Sequence, residues 1–166
     1  MKGSEQMSKI KELLKSDDSI LVFDVDGVLA VMEFDEHNHF MPEEKWNSVV
    51  GSDYNCYTEE RVSKKLQDFI RTKDKNKIYV VTKINDQNEE NHKKEYVNKY
   101  YGILKENLYC VKSDYDKASE LEKIKEKYSD LEDYKLLMID DSVTVLDDVM
   151  EKTNFSTVHV SSLLDI

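Results

Sequence analysis

The sequence predicts an α/β protein whose parallel sheet is covered by helices on both faces. Three observations carry this. Strand-like and helix-like segments alternate five times along 166 residues. The strand-like runs, among them L-V-F at 21–23, I-Y-V-V at 78–81 and L-L-M-I at 136–139, are continuously apolar, as strands buried on both faces are. Four of the five runs are followed by polar groups of a matching kind, and ligands in open α/β sheets gather at the carboxyl ends of the strands.

Each element has its own signal. Residues 4–15 predict a short helix with Met7, Ile10, Leu13 and Leu14 on one face. The first strand is read at 19–25. Residues 30–55 are irregular and hold the only proline, Pro42, and the only tryptophan, Trp46. A helix is read at 58–72, opened by Thr58 and striped by Val62, Leu66, Phe69 and Ile70. The second strand is 77–82. Residues 87–101 form a helix that stops near Gly102. A short strand at 108–111 follows, then a helix at 116–128 with Leu121 and Ile124 inward. A fourth strand at 135–140, a helix at 142–152 and a last strand at 157–160 complete the series. No repeat or low-complexity linker divides the chain. One domain is expected over 1–166, with 30–57 as a small flap or cap insert.

Composition narrows the function. Lys and Arg total 24 against 35 Asp and Glu, a formal net charge of -11. That field disfavours nucleic acid and anionic lipid. A phosphorylated substrate remains compatible with it, because a divalent cation reverses the local sign. Cys56 and Cys110 lie far apart and are expected to be reduced thiols. The opening M-K-G-S-E-Q has no apolar signal core, and no apolar run reaches the length of a membrane span. A cytoplasmic location is expected.

The strand ends carry the chemistry. Asp24 and Asp26 follow the first strand in D-V-D-G, where strand alternation would put both acids on one side and Val25 opposite. Buried acids are costly unless they bind a cation, share a proton or react. Thr82, Lys83 and Asn85 follow the second strand, Lys117 stands near the start of the helix after the third, and Asp140, Asp141 and Ser142 follow the fourth. Clustered carboxylates suit a hard cation such as Mg2+. A lysine and a threonine hydroxyl suit phosphoryl oxygens. One carboxylate can attack phosphorus while a second protonates the leaving oxygen.

D-V-D-G-V-L at 24–29, V-V-T at 80–82, Lys117 and I-D-D-S at 139–142 together resemble the haloacid dehalogenase superfamily over residues 19–160. The resemblance implies a three-layer Rossmann-like domain with strand order 5-4-1-2-3. It implies a Mg2+-dependent phosphomonoester hydrolase with Asp24 as nucleophile and Asp26 as general acid and base. Thr82 and Lys117 would hold the phosphoryl group, with Lys83 and Asn85 as further candidates. Mg2+ would be held by Asp24, the Asp26 carbonyl, and Asp140, Asp141 or both. Lys112, directly after the third strand, is the alternative to Lys117. D-V-D-G-V-L-A is also similar to the 5'(3')-deoxyribonucleotidase branch.

Residues 30–55 are too short for a full helical cap. An open site, covered at most by a small flap, is therefore expected, with either a macromolecular or bulky substrate or a neighbouring copy of the chain that closes it. A small phosphorylated molecule is expected rather than a macromolecule. The alternatives are a non-catalytic binding or regulatory domain, a phosphoacceptor receiver domain using Asp114, and a dehalogenase. Among the remaining residues, His37 and His39 beside Asp35 read as a solvated loop rather than a zinc site. Ser142 reads as a helix N-cap, His159 as a packed core residue, and the charged residues from Glu89 to Glu95 as a solvated helix face. Trp46, Tyr54 and Tyr57 either line the pocket or anchor the insert.

Overall fold

The computed structural model describes residues 3–31, 43–49, 54–58 and 61–165. Its elements run α1 (Gly3–Lys15), β1 (Ile20–Phe23), β2 (Ala30–Val31), α2 (Glu43–Val49), β3 (Arg61–Val62), α3 (Lys64–Arg71), β4 (Ile78–Lys83), α4 (Gln87–Tyr101), β5 (Leu108–Val111), α5 (Lys117–Glu126), β6 (Leu136–Asp140), α6 (Val143–Lys152) and β7 (Ser156–His159). Five strands form one sheet in the order β5-β4-β1-β6-β7, with every pairing parallel. This numbering differs from the expected 5-4-1-2-3 because β2 and β3 take numbers but form a separate antiparallel pair. Counting the sheet strands alone, the order reads 3-2-1-4-5, the same arrangement viewed from the other edge. Of the residues expected in the insert, 32–42 and 50–53 lie outside the described residues, among them Asp35, His37, His39 and Pro42, as do 59–60 beyond it. The Met7 side chain does too.

Alternation along the strands splits the core in two. Leu21, Phe23, Ile78, Val80, Leu137 and Ile139 point to one face and meet Leu14 of α1, Leu66 and Ile70 of α3, and Tyr96, Val97 and Tyr101 of α4. Ile20, Val22, Tyr79, Val81, Leu136 and Met138 point to the other face and meet Ala118, Leu121 and Ile124 of α5 and Leu146 and Val149 of α6. Trp46 packs against the first cluster, which makes it an anchor of the insert.

Most boundaries follow local chemistry. Asp86 caps α4 by accepting from the Glu89 N–H, and Gly102 ends it in the left-handed conformation at φ 70°. Ser142 caps α6 through the Val145 N–H. The expected helix at 58–72 is corrected. Cys56–Thr58 is a single 3-10 turn, Arg61–Val62 pairs with β2, and the helix starts only after Ser63, whose hydroxyl accepts from the Leu66 N–H. Val62 therefore lies in a strand and not on the helical stripe. His159 is also corrected. It is half-buried at the end of β7, and its ring bonds the Ser161 hydroxyl and the Asp141 carbonyl.

Candidate active site

β1 lies at the centre of the sheet between β4 and β6, so the carboxyl ends of these three strands meet at one edge. β1 ends at Phe23, one residue before Asp24. The Val25 carbonyl then accepts from the N–H groups of Val28, Leu29 and Ala30, and the chain curls tightly. Gly27 supplies the positive φ of 76° that this curl needs.

The curl overturns the expected common orientation of the two acids. Asp24 meets α5: its Oδ2 lies 3.3 Å from Lys117 Nζ. Asp26 meets α4: its Oδ2 accepts from Lys93 Nζ at 2.6 Å, and its Oδ1 accepts from the Tyr57 hydroxyl at 2.9 Å. Those two helices cover opposite faces. Alternation holds only while a strand continues, and here the strand has already ended.

On the α5 side, Lys117 opens the helix fully buried and donates to Asp140 Oδ2 at 2.9 Å. Asp114 stands 3.4 Å from the same ammonium. Burial alone would pull Lys117 down, but Asp24 and Asp140 outweigh it and hold its pKa above the usual lysine value. The Asp140 carboxyl is pushed up to about 6, by burial first and then by Asp24. Burial and Asp24 also raise Asp141. Ligand oxygens of Asp24, Asp140 and Asp141 lie within 4.8 Å of one another. Asp24 Oδ1 is buried and has no hydrogen-bond partner among the described residues. A buried charged acceptor without a partner is costly, and these three acids offer the hard oxygen donors that Mg2+ prefers. The carboxylates around Lys117 outnumber it, and a divalent cation would offset the excess negative charge. The residues present therefore fit the ion.

On the α4 side, Thr82 is fully buried and its Oγ1 lies 3.1 Å from Lys93 Nζ. Burial raises the Asp26 carboxyl, with Lys93 opposing and Asp24 adding to the rise. Tyr57 is raised well above its usual value, by burial and then by Asp26.

Of the candidate residues, the structure brings Asp24, Asp26, Thr82, Lys117, Asp140 and Asp141 together, and Lys83 reaches only their edge through Asp114. Lys83 follows Thr82 on β4, so alternation turns it to the other face, where its half-exposed side chain reaches Asp114 at 3.7 Å. The Asn85 side chain is tied to Glu89 Oε2 at 3.2 Å. Lys112 is exposed and donates to the Asn85 carbonyl, away from the acids.

The solvated helix face expected from Glu89 to Glu95 is also corrected: Glu89 and Lys93 are buried. The sequence does carry a signal for them. The apolar stripe of Tyr96, Val97 and Tyr101 continues back by one and two turns to Lys93 and Glu89. In an α/β sheet that end of the stripe points to the carboxyl edge of the strands. Tyr57, read as either lining the pocket or anchoring the insert, does both: its hydroxyl donates to Asp26 Oδ1 and its ring is buried in the first core cluster.

No protein-family model matches this chain, and no curated protein matches it. Among the described residues, no helix is long and apolar enough to cross a membrane.

Proposed function

We propose that this chain is a Mg2+-dependent phosphomonoester hydrolase of the haloacid dehalogenase type, with a Rossmann-like sheet and an aspartyl-phosphate intermediate on Asp24. One observation carries the reading: the buried, unpartnered Oδ1 of Asp24 at a strand end where two further acids and a lysine converge. A structural acid would have its oxygens satisfied. Asp24, Asp140, Asp141 and the Asp26 carbonyl would hold Mg2+, which when bound neutralises charge on the phosphoryl oxygens.

The chain's own groups account for the chemistry. An Asp24 oxygen forms a bond to phosphorus while the bond from phosphorus to the ester oxygen breaks. Asp26 gives its proton to the departing oxygen. It then takes a proton from water, whose oxygen attacks phosphorus and releases Asp24 and inorganic phosphate. The Thr82 hydroxyl and Lys117 steady the transferred oxygens. A small phosphomonoester suits the strongly acidic chain, and nucleoside monophosphates are the first compounds to try.

A screen of nucleotides, sugar phosphates and p-nitrophenyl phosphate with Mg2+ tests the proposal. Turnover that needs Mg2+ and disappears in Asp24→Asn is expected. Full activity in that variant would sink the assignment.

A further inference from the structure

Lys93 sits on α4 four residues after Glu89, and its side chain is 0% exposed. Its Nζ donates to three acceptors, the Lys83 carbonyl at 2.5 Å, Asp26 Oδ2 at 2.6 Å and Thr82 Oγ1 at 3.1 Å, and forms an ion pair with Glu89 Oε1 at 2.9 Å. An ammonium carries three protons and no lone pair. All its donors are therefore spent inside the protein, and none is left for a substrate oxygen. Since Nζ can only donate, the Thr82 hydroxyl accepts from it. The hydroxyl's own proton is then free to point at an acceptor beyond the strand end.

Glu89 completes the arrangement. Its second oxygen accepts from the Asn85 N–H at 2.7 Å and so fixes the loop after β4. Burying an ammonium with two carboxylates does less for stability than apolar packing of the same volume would. The network's other effect is orientation: both Asp26 oxygens are held, one by Lys93 and one by Tyr57.

We infer that Lys93 is a positioning residue of the phosphoryl-transfer site, aiming the Thr82 hydroxyl at the transferred group and holding Asp26 where the ester oxygen departs. The inference rests on the hydrolase reading and deepens it. In the step concerned, the bond from Asp24 to phosphorus forms, the ester bond breaks, and the Asp26 proton moves to the ester oxygen. Lys93 contributes no atom to the transfer.

The test compares two esters with the full chain and Mg2+. The leaving group of p-nitrophenyl phosphate departs without a proton, whereas the alkoxide of β-glycerol phosphate needs one. In Lys93→Met, kcat on the alkyl ester should fall at least about a hundredfold, the lower end of what a placed general acid contributes. The aryl ester shares the Thr82 contact and the later water step but needs no proton on its leaving oxygen, so it should fall less, and the ratio of the two rates moves. Because this variant leaves Glu89 unpaired, Glu89→Gln/Lys93→Met is measured beside it and should show the same ratio. Equal loss on both esters, or failure of both variants to fold, would reduce Lys93 to a structural role and overturn the inference. The hydrolase reading would survive that result if wild type turned over and Asp24→Asn did not. Wild type inactive on both esters overturns the two together.

Discussion

A Cβ placed on Gly27 would lie 2.2 Å from Oδ2 of Asp141 and 2.6 Å from its Cγ. The two residues come from the turns after β1 and β6, and only a hydrogen on Gly27 lets those turns touch. Gly27→Ala should therefore act twice. The positive φ of 76° would cost about 1–2 kcal/mol of stability in any residue with a Cβ. The displaced Asp141 should weaken Mg2+ binding in a calorimetric titration. Unchanged Mg2+ affinity in a folded variant would remove Asp141 from the ligand set.

Asp140 gives the site a pH dependence with a definite sign. Its folded pKa of about 6 stands above the ordinary carboxyl value of 3.8, so the fold disfavours its charged form. In the metal-free protein this penalty is fully present above about pH 6 and is relieved as pH falls toward 3.8. A bound cation reverses the preference, because it needs the carboxylate. The gain in Tm on adding Mg2+ should thus be larger at pH 7.5 than at pH 5. An equal or larger gain at pH 5 would exclude Asp140 as a ligand.

Two lysines near the site should behave in opposite ways. Lys117→Met leaves Asp24 and Asp140 buried without their ammonium, a loss of about 3–5 kcal/mol in urea unfolding. Asp140→Asn in the same chain should recover part of it. Lys112 is exposed, so Lys112→Met should stay within about 0.5 kcal/mol of wild type and keep its turnover. Loss of turnover in Lys112→Met alone would exchange the roles assigned to the two lysines.

Much of the fold was legible because it depends on local signals. Continuous apolar runs placed the five sheet strands to within a residue or two. Gly102 stopped α4, and Ser142 capped α6. The reading failed at 58–72, where Val62 fits a helical stripe and a short strand equally well, and pairing with β2 decided the matter.

The candidate site divides in the same way. Asp24, Thr82, Lys117 and Asp140 were legible because parallel strands bring their carboxyl ends to one edge whatever the side-chain details. That convergence, the α/β class and the acidic character of the protein were determined by the sequence alone. Tertiary structure decided the rest: Asp26 faces α4 rather than α5, Lys83 meets Asp114 at the edge of the site, and Lys93 lies buried against Asp26 rather than in water. The physical reason is that a charge pattern on a helix states what could pair. Only packing states which of those charges loses its water, and a single tight turn at Val25–Gly27 decides which partner an acid meets.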